Sequence, residues 1–240
     1  MELLLRESPL AWVPDLPRGM VTPAREERPP MTTPEELKDL AQGIGCDVSE
    51  EQAALLLGYL DAMLDENTRV NLTAVRERED AVRLHALDSL ALGAAWEGPP
   101  PSRCLDIGTG NGFPGVAAAC LYPDAEVLLI DRTRKKVDAI QRALATAGID
   151  TSRVRTEQLD AAEAPSRGLK HTFDLITTRA VASPGKVGAL ARPLLARGGR
   201  FLCWISDDPT ALSAQVFKMK RTGRLDYSVS DRSRHILVFG

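Results

Sequence analysis

The sequence predicts an α/β fold, a doubly wound and mostly parallel sheet that finishes with antiparallel strands and carries a helical cap at its N-terminal side. Three observations predict it. From residue 103 onward, short apolar runs alternate with amphipathic stretches, the pattern of strand–helix units that build a parallel sheet with helices on both faces. The first of those runs ends in "LDIGTGNGFPG" (105–115), a glycine-rich turn where a strand hands over to a helix. The chain closes with "RLDYSVSDRSRHILVFG" (224–240), which reads as two antiparallel strands.

The elements follow in order. Residues 1–31 hold Pro9, Pro14, Pro17, Pro23, Pro29 and Pro30 around "REER", a composition that buries little, so a disordered or non-native tail is expected there. Met20 and Met31 are plausible later starts. Residues 32–98 form the helical cap. Thr33 suits an N-cap, Pro34 the first helical position, and Glu35 and Glu36 the first turn. Ser49 opens a second helix, with Leu55, Leu56, Tyr59, Leu60, Met63 and Leu64 at helical spacing, and a third runs through "EREDAVRLHALDSLALGAAW" to the "EGPPPS" break. Residues 99–240 form the main domain. Its strands are "RCLDIG", "AEVLLID", "SRVRTE", "FDLITTRA" and "GRFLCWIS", and its helices "GVAAACLY", "RKKVDAIQRALATAG" and "GKVGALARPLL".

Composition narrows the function classes. A net charge of −3, with 44% hydrophobic and 26% charged residues, belongs to an ordinary globular chain and does not by itself announce a nucleic-acid binder. Cys46, Cys104, Cys120 and Cys203 are far apart and form no C-x-x-C pair, and His85, His171 and His235 are equally scattered. Buried free thiols and no metal site are expected. No run approaches the ~20 apolar residues of a membrane span, and the start, short and apolar with an early Glu2 and no cationic n-region, does not read as a signal peptide. A cytoplasmic protein without a membrane partner is expected.

The glycine turn carries two fingerprints at once. Gly110, Gly112 and Gly115 have the G-x-G-x-x-G spacing of dinucleotide enzymes. Asp106 followed by Gly108, Gly110 and Gly112 has the acid-then-glycine spacing of S-adenosylmethionine (SAM) enzymes. A dinucleotide diphosphate needs free amides at a helix N-terminus, and Pro114 removes one there. SAM carries a cationic ammonium and sulfonium instead, which favours an acid such as Asp106 at the end of the first strand. Asp131, ending "LLID", supplies the ribose-binding acid that either cofactor wants. Together with the antiparallel finish, these features predict SAM and a class I, Rossmann-like methyltransferase fold. Glycines used only for tight packing are the plainer alternative.

The acceptor is marked mostly by what is missing. After "FDLITT" there is no [DNS]-P-P-[YFW] motif for an exocyclic amine, and no P-C pair supplies a cytosine-type nucleophile. Arg179 stands there instead, either a fixed cation and hydrogen-bond fork or a surface ion-pair partner.

At this point the chain resembles a family. "NLTAVRERED…LHALDSL", "LDIGTGNGFPG", "IDRTRKKV" and "TTRAVAS" are similar, in order, to RsmG (GidB) proteins, bacterial methyltransferases of 16S rRNA that modify N7 of a guanosine in the 530 loop. The resemblance spans about residues 35–206. It implies SAM as cofactor and 16S rRNA or the small ribosomal subunit as partner, with no DNA partner and a monomeric enzyme. It also implies that Gly108, Phe113, Arg179 and the backbone of Gln158 and Leu159 lie at the cofactor. Asn71 and Lys135 would face the RNA or target base, so that Asn71, Lys135 and Arg179 position the substrate and no residue acts as general base. Guanine N7 already carries an in-plane lone pair, so direct displacement at the sulfonium needs none. His85 and Asp88 match H-x-x-D-S, with a direct role or a packed, hydrogen-bonded helix as the two readings.

Three positions depart from the family pattern. Glu157 stands near an arginine position, Ile205 at a lysine position, and Glu66 where a tryptophan is frequent. Two missing cations weaken phosphate contact at the presumed RNA face, while "RTRKK" (132–136) and "FKMKRTGR" (217–224) offer others. Three further readings stay open: a diverged SAM enzyme for another RNA or a small molecule, a non-catalytic SAM- or nucleotide-binding module, and an NAD-type oxidoreductase.

Overall fold

The computed structural model describes residues 31–179, 183–206, 215–216 and 218–240. The expected tail, except Met31, lies outside the described residues, as do Ala180, Val181 and Ala182. The parallel strands are β1 (Arg103–Ile107), β2 (Glu126–Asp131), β3 (Val154–Gln158), β4 (Phe173–Arg179) and β5 (Leu195–Ile205). Beyond them come β6 (Gln215–Val216), β7 (Met219–Val229) and β8 (Arg232–Phe239). The order across the sheet is β3-β2-β1-β4-β5-β8-β7-β6. Pairings among β1 to β5 are parallel, and those of β5–β8, β7–β8 and β6–β7 are antiparallel. Strand order reverses between β1 and β4. Loops leaving the carboxyl ends of those two strands therefore diverge to opposite faces and open a crevice, the usual ligand position in such sheets.

Near-continuous apolar runs make these central strands. Cys104, Leu105, Asp106 and Ile107 of β1 are all buried, as are Val127 to Ile130 of β2, because helices cover both faces. On one face lie α2 (Glu50–Asn67), α5 (Gly115–Leu121) and α6 (Arg134–Thr146). Leu56, Tyr59, Leu60 and Met63 of α2 share one core there with Val116 and Ala117 of α5 and Ile140 and Ala143 of α6. On the other face, Val187 and Ala191 of α7 (Pro184–Ala191) pack with Leu105, Ile107, Ile176 and Phe201. Each fully buried leucine or isoleucine in these layers stabilises the fold by about 1.5–3 kcal/mol.

The N-terminal helices start where cap chemistry places them. Thr33 and Glu36 form a capping box on α1 (Pro34–Gly43), and Ser49 and Gln52 form another on α2. The third expected helix is continuous but changes winding. It runs as α3 (Arg78–Ala81), a π-helical turn (Val82–Leu87) and α4 (Asp88–Ala95). Periodicity alone gave no sign of that turn. A second difference lies after α7: a 3-10 turn (Arg192–Leu194) contains Pro193, whose missing amide ends the helix, and β5 already begins at Leu195. β6 was not anticipated.

Candidate active site

The loop between β1 and α5 turns through Gly108, Gly110 and Gly112, all at positive φ (67°, 58° and 90°). Gly112 is doubly constrained, since a Cβ there would stand 1.9 Å from Tyr59 Oη. That hydroxyl donates to the carbonyl of Asn111 at 2.9 Å, pinning the loop to α2. Gly115 serves another purpose. Its Cβ would meet Leu129 Cδ2 at 2.3 Å and Asp106 Cβ at 2.6 Å, so the glycine lets α5 sit directly on the sheet.

Around this loop opens a cleft of about 1460 Å³. Of the residues singled out in the sequence, Gly108, Gly110, Phe113, Asp131, Leu159 and Arg179 line it. Asp131 sits at the end of β2 and accepts hydrogen bonds from the Gly110 amide (3.1 Å) and the Thr133 amide (2.8 Å). A carboxylate has about four acceptor sites, so two remain for hydroxyls of a ligand. Gly112, Gln158, Asn71 and Lys135 lie off the wall. Gly112 is packed on Tyr59. The Gln158 side chain donates to the Arg132 carbonyl (3.1 Å), and the Leu159 amide is already given to the Asp131 carbonyl (3.1 Å). That leaves the Leu159 side chain facing the cleft. Asn71 and Lys135 are exposed, beside Leu72 and Lys136, which do line it.

Asp106 is buried under the loop, 1% exposed and off the cleft wall. Its Oδ1 accepts from the Thr177 hydroxyl at 2.8 Å, while its Oδ2 and Thr109 Oγ1, though close to one another, are buried with no partner at full hydrogen-bond geometry. Burial pushes the Asp106 carboxyl up to about 6; Thr109, Thr177, the Gly115 amide and Arg179 pull the other way. Two orphaned polar atoms beneath a glycine loop fit a ligand that brings a cation or an ordered water to this spot.

The opposite wall is built by Arg179 and the π-helical turn. Arg179 Nη1 donates to the Leu84 carbonyl (3.1 Å), Asp88 Oδ2 (3.0 Å) and, more weakly, Ser89 Oγ (3.4 Å). The π turn shifts the helical ladder and presents the Leu84 carbonyl to the guanidinium. His85 lies within 3.5 Å of Arg179 Nη2 through Nδ1 and 2.9 Å from Thr73 Oγ1 through Nε2. An arginine can only donate, so Nδ1 accepts and Nε2–H points to Thr73. Burial, then Arg179, push His85 down to about 4, and the ring, stacked on Phe113 at 5.9 Å, is neutral at pH 7. Asp88 is 3% exposed and accepts from the Tyr227 hydroxyl at 2.8 Å, and its carbonyl accepts from Trp204 Nε1 at 3.0 Å. His85 and Asp88 thus form part of the wall itself and also hold Arg179.

Sequence reasoning missed Arg234, Lys186 and Trp204, which line the cleft. Arg234 comes nearest to a signal: strand alternation in "RSRHIL" puts it on the inward face, yet arginine is common on strand edges and nothing in the pattern names it. The departures resolve unequally. Ile205 lines the cleft and leaves it apolar there, whereas Glu157 on β3 is not on its wall. Glu66, 6% exposed, pairs with Arg142 on α6 (2.6 Å) and Arg69 (3.0 Å), which hold its carboxyl below the usual range. All four cysteines are free and buried, burial pushes their thiols up to about 11 or 12, and no metal-binding cluster occurs among the described residues.

A family model described as "GidB: rRNA small subunit methyltransferase G" matches residues 52–223. The chain belongs to this family. A Ribosomal RNA small subunit methyltransferase G from Leptothrix cholodnii is 39% identical over 170 residues, covering 69% of this chain and 73% of its own. One from Laribacter hongkongensis is 34% identical over 214 residues, covering 88% and 99%. Among solved structures, a SAM dependent methyltransferase from Aquifex aeolicus aligns with a TM-score of 0.50 at 13% identity, over 67% of this chain and 92% of that one. MtNAS, solved in complex with MTA and tNA, aligns at 0.52 and 16% identity, over 86% and 75%. These two likenesses speak for the fold alone, the class I SAM-dependent methyltransferase fold. The family member's methyl donor is S-adenosyl-L-methionine, and the dinucleotide reading of the glycine loop is set aside.

Proposed function

We propose that this chain transfers the methyl group of SAM to N7 of a guanosine in the 530 loop of 16S rRNA. The observation that carries the reading is that, among the described residues, the open carboxylates on the cleft wall, Asp131 and Asp160, belong to the cofactor side, and the acceptor side offers no free base. His85 is neutral and already hydrogen-bonded, Asp88 is buried and held by Arg179 and Tyr227, the thiols are buried away, and Asp106 lies beneath the loop. A nitrogen that must lose a proton would find no acceptor here. Guanine N7 has no proton to lose.

SAM, when bound, supplies an electrophilic methyl on a cationic sulfonium. The protein's part is placement and electrostatics. Asp131 is suited to the ribose hydroxyls, Gly108 and Gly110 admit the cofactor close to the backbone, and Asp106 offers its free Oδ2 toward the ammonium, directly or through water. Leu159, Ile130 and Ala161 give the adenine an apolar seat. Arg179, locked by Asp88 and the π-helical turn, closes the cofactor side. Asn71 at the rim meets the incoming base, and Lys135, exposed on the first turn of α6, meets the RNA backbone. The helical segment (32–98) acts in this reading as the acceptor-side cap of the SAM-binding domain (99–240). A monomer acting on RNA rather than DNA, in the cytoplasm, completes it. No helix among the described residues is long and apolar enough to cross a membrane.

The test is transfer from radiolabelled SAM to rRNA in which the candidate guanosine is replaced by 7-deazaguanosine. Label on the unmodified RNA and none on the 7-deaza RNA is expected. Equal label on both would rule out N7 as the acceptor.

A further inference from the structure

Asn67, the last residue of α2, is 4% exposed, and its side chain makes three hydrogen bonds, all to the loop that follows. Its Oδ1 accepts from the amides of Leu72 (2.8 Å) and Thr73 (3.0 Å), and its Nδ2 donates to the Thr73 carbonyl (3.1 Å). Its own carbonyl accepts from Arg76 Nη1 at 3.2 Å. A single buried amide therefore folds residues 68–73 back on themselves and leaves Asn71 exposed at the cleft rim, one residue before the cleft-lining Leu72. The clamp reaches further. Thr73, held on both its backbone groups, presents Oγ1 to His85, which stacks on Phe113 of the glycine loop.

Glu66, immediately before Asn67, fixes the base of this loop from the other side. It grips Arg142 of α6, the helix whose first turn carries Lys135 and Lys136. The family tryptophan is replaced here by an ion pair that ties the end of α2 to the same helix.

We infer that Asn67 is a positioning residue for methyl transfer, holding the Asn71 loop and, through Thr73, the His85 ring in register with the cofactor loop. It touches neither cofactor nor base. The inference rests on the proposed reading of Asn71 as an acceptor-side residue.

The experiment compares wild type, Asn67→Ala, Asn67→Asp, Asn71→Ala and the double variant Asn67→Ala/Asn71→Ala. Asp keeps the oxygen that accepts from Leu72 and Thr73. Four readouts are taken: amide exchange, SAM affinity, KM for the RNA and single-turnover transfer at saturating SAM. In Asn67→Ala the amides of Leu72 and Thr73 should lose protection while the α2 and sheet amides keep theirs, and SAM affinity should change less than threefold. Transfer should fall tenfold or more with KM for the RNA little changed, and Asn67→Asp should recover most of it. Because both residues act as one unit, the double variant should be no slower than the worse single. Unchanged exchange at Leu72 and Thr73, full transfer by Asn67→Ala, or strictly multiplied losses in the double variant would each overturn the proposal. The exchange arm needs no RNA, so a wrong acceptor assignment shows separately, as wild type that labels no 530-loop guanosine.

Discussion

The two walls of the cleft differ in how complete they are. On the helical wall, most charged and polar groups answer one another: Arg179 with Asp88 and Leu84, Tyr227 with Asp88, His85 with Thr73; Arg234 Nε, 3.7 Å from Asp88 Oδ1, is left without a hydrogen bond. Under the glycine loop, the buried Asp106 Oδ2 and Thr109 Oγ1 have no partner, and Asp131 has acceptor capacity to spare. A wall that satisfies itself is a scaffold, rigid before any ligand arrives, whereas buried polar atoms left unsatisfied mark where binding has something to gain. The difference teaches that residues of one cleft, all polar and all near the cofactor loop, fail in different ways when replaced.

Substitution on the tightest part of the loop should cost most. Gly112→Ala meets both a 1.9 Å clash with Tyr59 Oη and a φ of +90°, and should lower the unfolding free energy by roughly 3–5 kcal/mol in urea titrations. Adding Tyr59→Phe should return part of that loss, since it removes the clashing oxygen. Equal stability of Gly112→Ala and wild type would mean the loop is looser than described. On the helical wall, Arg179→Met takes the nearer cation from the buried Asp88, leaving Tyr227 (2.8 Å) and the more distant Arg234 (3.7 Å), and should cost up to about 3 kcal/mol, because a buried carboxylate loses its main partner. Arg179→Lys should recover only part, lacking the fork that reaches Leu84 and Asp88 together.

The binding wall should behave in the opposite way. Asp131→Ala should leave the melting temperature nearly unchanged but weaken SAM by about tenfold or more, the worth of one charge-assisted hydrogen bond. Calorimetric titration reads this directly, and an unaltered SAM affinity would remove Asp131 from the cofactor site.

pH separates the walls more finely. His85, held near 4 against an ordinary 6.5, is neutral in the folded protein where the unfolded chain would bind a proton. Its contribution is full above about 6.5 and is lost as pH falls toward 4. Asp106, raised from 3.8 to about 6, has the opposite sign: its folded form holds a proton the unfolded chain has released, so its contribution declines as pH rises through that window. Asp106→Asn removes the second effect. Its melting temperature should therefore fall more steeply than that of wild type between pH 6 and pH 4. Parallel profiles would contradict the paired assignment. The smallest effect should come from the rim. Lys135→Ala should change stability by less than about 0.5 kcal/mol and reduce the salt dependence of RNA binding by about one phosphate contact.

The sequence carried the scaffold well and the site unevenly, for physical reasons. Strand and helix periodicity placed β1, β2, β4 and α6 within a residue or two, because burial on both faces or on one stripe leaves a direct trace in the pattern. Glycine spacing located the loop and, with Asp131, the cleft. The π-helical turn left no trace, since its cause is the fit of Leu84, His85 and Asp88 around an arginine almost a hundred residues away in the chain. Arg234 escaped for the same reason: its position beside Asp88 depends on the β7–β8 pairing, which sets it opposite Tyr227. Glu66 reads as a bare departure in the sequence, and only the placement of Arg142 on α6 shows the ion pair it makes.

The most direct measurement is methyl transfer from radiolabelled SAM to small ribosomal subunits and naked 16S rRNA lacking the 530-loop modification, with the labelled nucleotide mapped. A single label, on N7 of the 530-loop guanosine, is expected on at least one of the two substrates. SAM binding with no label on either, or label at another nucleotide, would contradict it.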